Sequence, residues 1–134
     1  MQCIMKKITS VILLFLFVNL LSAQTGSFDK RLLSKFSEKE LQELKTNNPD
    51  SYAYWNFLVA NSYSVMDLPA AKANDKEIKG SVKIADLNNV NILDLKLFPV
   101  NNQNQYYRIE GTSKMLMILS DEQVRAKYKA STTK

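Results

Sequence analysis

The residues of this chain whose types are best suited to catalysis are four charged side chains in two alternating runs. Asp94 and Lys96 alternate with leucines, and Arg108 and Glu110 alternate with apolar residues in a later run. If these runs are neighbouring strands, Asp94 and Glu110 could face each other and act as general acid and base. The same positions suit two cross-strand ion pairs, Asp94 with Arg108 and Lys96 with Glu110. We favour the ion pairs, because alternation of apolar and charged residues alone accounts for these positions.

Histidine and cysteine chemistry is excluded from the body of this chain. There is no histidine, and the one cysteine, Cys3, precedes a long apolar run. This excludes Ser-His-Asp and Cys-His catalysis, metal sites built on His or Cys, and disulfides. The glycines are isolated, so no phosphate-binding loop is present, and residues 86–89 are too short for a calcium loop. We therefore assign no catalytic, cofactor-binding or metal-ligating residue, and we expect no cofactor.

Residues 1–23 have the pattern of a secretory signal peptide. Lys6 and Lys7 precede an apolar run, and Ala23 is small enough for the position before the cleaved bond. We predict cleavage between Ala23 and Gln24, which makes the protein periplasmic or secreted. An uncleaved anchor is the alternative, but the apolar run is shorter than the roughly 20 residues of a membrane span. Membrane contact is thus expected only through the leader before cleavage.

Residues 24–134 are predicted to form one small domain, because their number suits a single hydrophobic core. Of the 18 Lys and Arg, Lys6 and Lys7 leave with the leader, so 16 remain against 13 Asp and Glu, a net charge of +3. The basic residues are interleaved with acidic ones rather than clustered, so we expect no nucleic-acid partner. A loose attraction to anionic envelope polymers is the alternative to a solvated mixed surface.

A capping box predicts the first long helix. Ser37 and Glu40 have the required spacing, and Phe36 and Leu41 have the spacing of a hydrophobic staple. We expect this helix to run to about Lys45 and to stop before the next proline. A shorter helix is predicted before it, over residues 28–35.

The second long helix is expected to begin at Pro49 or in the residue after it. Tyr52, Trp55 and Val59 follow at spacings of three and four, which places them on one face. Such a stripe is typical of a core, and a surface that stacks on glycans is the alternative. We expect Trp55 to be largely buried against residues 115–119.

Beyond Ser62 the pattern changes to the alternation of strands. Three runs, at residues 82–84, 93–97 and 107–109, predict antiparallel strands with one solvent-exposed face. Residues 115–119 lack polar alternation and predict a strand buried on both faces. The spacing of residues 111–114 suits a hairpin between the last two.

A closing helix and the order of elements complete the predicted fold. Ser120 and Gln123 repeat the capping-box pattern, Val124 and Tyr128 are expected to face inward, and residues 130–134 are expected to fray. The fold class is therefore α+β, with N-terminal helices packed on a small antiparallel sheet of about four strands and a short C-terminal helix.

The leader ending Leu21-Ser22-Ala23-Gln24 and the Asn- and Lys-rich chain after it resemble the uncharacterised small exported proteins of Bacteroidetes-type bacteria. This resemblance covers the leader and the composition, and it implies export without implying an activity or functional residues. We interpret the chain as an exported, non-catalytic binding or envelope-accessory protein with an envelope or extracellular partner of unknown identity. The alternative is a small carboxylate-dependent hydrolase acting on envelope or extracellular polymers.

Overall fold

The fold combines three α-helices with one four-stranded sheet, which is the predicted α+β class. The computed structural model describes residues 26–70 and 77–133, so the leader and its predicted cleavage position lie outside the described residues. The helices are α1 (Glu38–Asn47), α2 (Pro49–Asn61) and α3 (Asp121–Thr132), preceded by a 3-10 turn (Leu32–Ser34). The strands are β1 (Tyr63–Asp67), β2 (Ile78–Val82), β3 (Gln105–Ile109) and β4 (Lys114–Ile118).

The sheet is mixed, so the prediction of an antiparallel sheet is wrong for β2. The strand order is β1-β4-β3-β2, with β4 antiparallel to both of its neighbours and β2 parallel to β3. A short turn joins β3 to β4 and reverses the chain. Residues 83–104 join β2 to β3 and are numerous enough for the crossover that a parallel pair requires.

The run at residues 93–97 forms a helical turn rather than the predicted strand. Asn91 opens it, since its side-chain oxygen accepts the Leu93 N–H at 3.1 Å. Lys96 closes it in the left-handed region with φ 54°, and its N–H donates to the Leu93 carbonyl at 3.0 Å. The Leu97 N–H donates to the Ile92 carbonyl at 2.9 Å, which completes a Schellman motif. Leu93 and Leu97 are four apart, so their spacing fits a helical turn as well as a strand.

Strand predictions elsewhere are only partly confirmed. Val82 is the last residue of β2, whereas Ile84 lies beyond that strand. Strand β1, which pairs with β4 along its whole length, was not singled out from the sequence. The central position of β4 agrees with its apolar sequence, because Met115, Leu116 and Ile118 are all buried.

The capping box of α1 is confirmed. The Ser37 N–H donates to Glu40 Oε2 at 2.7 Å, and the Glu40 N–H donates to Ser37 Oγ at 3.3 Å. The helix ends at Asn47, close to the predicted end at Lys45. Pro49 occupies the first turn of α2 as predicted, and the Asn48 side chain caps that helix. The predicted helix over residues 28–35 is reduced to the 3-10 turn.

Helix α3 begins where it was predicted to begin, but the predicted capping box is only half formed, because the Ser120 N–H donates to Asn104 Oδ1 and not to Gln123. The helix also continues further than predicted. The Gln123 N–H donates to Ser120 Oγ at 3.3 Å, which caps its first turn. The fraying expected from residue 130 is wrong, since α3 runs to Thr132. The hydroxyl of Thr133 donates to the Lys129 carbonyl at 2.8 Å and satisfies one of the last acceptors.

One apolar core joins the 3-10 turn, α1, α2, the β2–β3 connection and one face of the sheet. Leucine, isoleucine and valine supply all of its buried members, consistent with close packing of stiff aliphatic side chains. These members are Leu32, Leu41, Leu58, Val59, Val90, Ile92, Leu93, Ile109, Leu116 and Ile118.

Candidate binding surface

Three aromatic rings surround one ammonium group at the surface of the protein. The Lys35 Nζ lies 5.6 Å from the ring centroid of Phe36, 5.4 Å from that of Trp55 and 5.4 Å from that of Phe98. A cation within about 6 Å of a ring centroid is attracted by the electron-rich ring face. The three rings come from distant segments of the chain. We call Lys35, Phe36, Trp55 and Phe98 the aromatic surface.

Trp55 lies at the rim of the core and not within it. Its ring meets that of Phe36 edge-to-face, with centroids 5.2 Å apart and planes at 76°. The fully covered positions of α2 belong to Leu58 and Val59. The expected burial of Trp55 is therefore confirmed in part: the residue packs against the core but remains partly exposed, and its ring contacts Phe36, not the residues 115–119 named in the prediction. A ring of this size is rarely covered on all sides.

The 3-10 turn sets the positions of Lys35 and Phe36. The N–H groups of both residues donate to the Leu32 carbonyl, at 3.0 and 2.9 Å. Leu32 has no exposed surface and fixes this turn in the core. Ser37 then caps α1, so both neighbours of the Lys35-Phe36 pair are held by hydrogen bonds.

A charged clamp ties the same segment to α2. Arg31 Nη2 lies 2.7 Å from Asp29 Oδ2, and Arg31 Nη1 donates to the Val59 carbonyl at 2.9 Å. The hydrogen bond from Arg31 lowers the pKa of Asp29 below its usual value, against the opposing effect of burial. The clamp thus holds the segment before Lys35 against the helix that carries Trp55.

Phe98 is positioned by a buried amide at the start of β3. Gln105 is only 7% exposed, and its Nε2 donates to the Phe98 carbonyl at 2.8 Å. Its Oε1 accepts the Tyr107 hydroxyl at 3.0 Å, which fixes the orientation of the amide. The Phe98 backbone is therefore anchored to the sheet, while 37% of the residue's surface remains exposed.

The structure does not bring the charged residues of the sequence-based hypothesis together as cross-strand pairs. Asp94 lies in the helical turn, where its carboxylate accepts the Asn91 side-chain N–H at 2.9 Å. Glu110 is an exposed turn residue after β3. Among the described residues, neither Asp94 with Arg108 nor Lys96 with Glu110 forms an ion pair. The prediction failed because residues 93–97 are not a strand.

A groove of about 360 Å³ lies between α2 and α3 and shares Trp55 with the aromatic surface. The ring of Tyr54 packs edge-to-face on that of Tyr128 at 5.1 Å, and the Arg125 guanidinium lies 5.7 Å from the Tyr54 centroid. Burial raises the pKa of Tyr54. The groove is lined by Asp50, Ser51, Tyr54, Trp55, Arg125 and Tyr128.

A second cavity, of about 580 Å³, is lined mainly by amide and charged side chains near β2 and β3. One of its amides, that of Asn104, has contacts within the fold. Asn104 accepts the Ser120 N–H at 2.9 Å, and its Nδ2 lies 3.8 Å from the sulfur of Met117. Asn104 therefore supports the start of α3.

No group of three or more acidic side chains within residues 26–70 and 77–133 is placed to hold a metal ion. None of the described helices is long and apolar enough to cross a membrane. Comparisons with protein-family models, with curated proteins and with solved structures find no match to this chain.

Proposed function

We propose that the mature chain is an exported, non-catalytic binding protein that stacks its aromatic surface against sugar rings of envelope or extracellular polymers. The observation that carries this proposal is the convergence of Phe36, Trp55 and Phe98 at a partly exposed site. The leader pattern at residues 1–23 supports export. The absence of histidine, and of cysteine beyond Cys3, supports binding in place of catalysis.

The physical basis of the proposal is the apolar character of one face of a sugar ring. Its C–H groups carry partial positive charge and pack favourably on the negative face of an aromatic ring. Phenylalanine side chains are usually buried, so the exposure of Phe98 has a cost in water that a stacked ligand would remove. The clamp at Arg31 and the amide of Gln105 hold the surface in place, which reduces the entropy lost on binding.

A carboxylate-dependent hydrolase has less support. It would require two acids that converge, and Asp94 and Glu110 lie in separate exposed turns. We further propose that the N-terminal helices cover one face of the sheet, as the shared core indicates. The covered face stabilises the scaffold, and the rim formed by α2 and the 3-10 turn presents the ligand site.

Substitutions that remove rings but keep apolar volume test the proposed function. The mature protein is run through gels containing soluble polysaccharides, and its retardation is compared with that of Trp55→Leu and Phe98→Leu. We expect each variant to lose most of the retardation, because leucine packs but offers no ring face. Phe57→Leu is the matched control, since Phe57 lies on the same helix but packs on Tyr128 at 5.2 Å.

Equal retardation of the parent protein and both variants would contradict a role for the aromatic surface. Loss of retardation in Phe57→Leu alone would move the binding site to the groove between α2 and α3. Intact-mass analysis of the exported protein tests the other half of the proposal, with an N-terminus expected at or near Gln24. Recovery of full-length protein from the membrane fraction would contradict cleavage.

A further inference from the structure

We propose that Lys35 makes the aromatic surface selective for acidic polysaccharides, with its ammonium pairing with a carboxylate carried on a stacked sugar unit. This inference rests on the proposed function and names the class of ligand. It assigns Lys35 a role in specificity, whereas Trp55 and Phe98 supply the stacking contacts that neutral and acidic sugars share.

The charge of Lys35 is not neutralised by the protein. Ion pairs among the described residues involve other basic side chains, Arg31, Lys39, Lys114 and Arg125, and none of these pairs includes Lys35. Aromatic rings attract a cation through their quadrupole but carry no net charge. The positive charge at the aromatic surface is therefore available to an anion.

Two of the three acidic side chains of α1, Glu40 and Glu43, already have partners. Glu40 Oε2 accepts both the Ser37 N–H, at 2.7 Å, and the Ser37 hydroxyl, at 2.8 Å. Glu43 lies 3.8 Å from Lys39 Nζ. These contacts hold both carboxylates in the α1 network, so they do not compete closely for Lys35.

The three rings also restrict where the ammonium can go. A surface lysine ordinarily samples many rotamers, and ordering it for an ion pair costs conformational entropy. Contacts of 5.4 to 5.6 Å with three rings already favour one position. A sugar stacked on Trp55 or Phe98 would thus meet a positive charge beside it at little further cost in ordering.

The same geometry disfavours a cationic ligand. A quaternary ammonium group bound at these rings would meet the like charge of Lys35 within a few ångströms, and the two cations would repel each other. A sugar unit that carries a carboxylate fits both the aromatic rings and the ammonium group, because its ring stacks on an aromatic ring while its charge pairs with Lys35. Among sugar units, uronates have this combination.

The test compares each acidic polymer with its own neutral form. Polygalacturonate, alginate and hyaluronate are titrated into the mature protein beside carboxyl-reduced samples of each, which keep the sugar backbone but lose the charge. The fluorescence of Trp55 reports the site directly, because it is the only tryptophan in the chain. For at least one of these polymers, we expect the acidic form to bind about tenfold more tightly, as for a charge-assisted hydrogen bond. Added salt should reduce this preference.

Lys35→Gln should remove the preference for the acidic form and leave binding of the neutral form nearly unchanged. Lys39→Gln is the matched control, because it removes the same charge from an exposed side chain that pairs with Glu43. It should keep the preference. An unchanged preference in Lys35→Gln would overturn the role assigned to Lys35.

The outcomes separate this inference from the function on which it rests. Equal binding of acidic and neutral forms by the parent protein, still dependent on Trp55, would overturn acidic selectivity and leave glycan binding in place. Absence of binding to every polymer in both forms would overturn the two together. Binding of an acidic form that persists in Trp55→Leu and Phe98→Leu would place the site elsewhere and overturn both assignments; gel retardation measures it, because Trp55→Leu removes the only fluorescent tryptophan.

Discussion

Replacing the buried amide that anchors Phe98 should destabilise the protein by a calculable amount. Gln105→Leu removes the hydrogen bond to the Phe98 carbonyl and the one accepted from the Tyr107 hydroxyl. A neutral hydrogen bond contributes about 0.5 to 1.5 kcal/mol net, so the loss of two should cost about 2 kcal/mol. That is a large fraction of the about 5 to 15 kcal/mol that stabilises a typical domain.

A second substitution shows whether the cost arises from these bonds. Tyr107→Phe removes only the hydroxyl and should cost about 1 kcal/mol. In the Gln105→Leu background it should cost almost nothing, because its acceptor has already gone. Urea unfolding of the parent and three variants measures the cycle, and similar slopes across the set support comparison of the free energies. Strictly additive losses would refute the coupling inferred from the structure.

Two further substitutions test other parts of the fold. Lys96→Gly should raise the free energy of unfolding by about 0.5 kcal/mol, because glycine adopts positive φ without steric cost, and Lys96→Val should lower it; urea unfolding that ranks valine above glycine would contradict the Schellman assignment. Asp29→Asn should lower stability at neutral pH and flatten its decline in acid, because the pKa of Asp29 is lower in the folded protein than its ordinary 3.8. The stabilisation from Asp29 is fully present at a pH above the pKa of this residue in the unfolded chain, and it is lost as the pH falls through its pKa in the folded protein. Thermal unfolding that is equally sensitive to acid in the parent and the variant would contradict the clamp.

Local signals in the sequence predicted the helices well. The capping residues Ser37 and Ser120 act through neighbours three positions away, so their spacing is sufficient evidence. The prediction for residues 93–97 was wrong because the spacing of the leucines fits two structures. Leucines at alternate positions indicate a strand, but Leu93 and Leu97 are four apart, which also fits a helical turn. The helical turn is set by the Asn91 cap and by the left-handed backbone of Lys96. The residue type of Lys96 does not indicate a left-handed conformation.

The aromatic surface could not be assembled from the sequence. Trp55 was identified as important, but its neighbours Lys35 and Phe98 lie far along the chain on both sides. Their meeting depends on the crossover that makes β2 and β3 parallel and on the buried Gln105, whose role cannot be recognised before its partners are known. Long-range register, in contrast to capping, is set by the packing of the whole core.

The position of β4 in the sheet has a consequence for the order in which this chain can fold. It lies between β1 and β3, although it is the last strand to be synthesised. Helices α1 and α2 can form from local contacts as the chain emerges, but β1 lacks its partner until Lys114–Ile118 is available. Completion of the sheet must therefore wait for nearly the whole chain. A nascent protein that cannot close its sheet early stays unfolded for longer, and an unfolded chain is the form that the export proposed above would require.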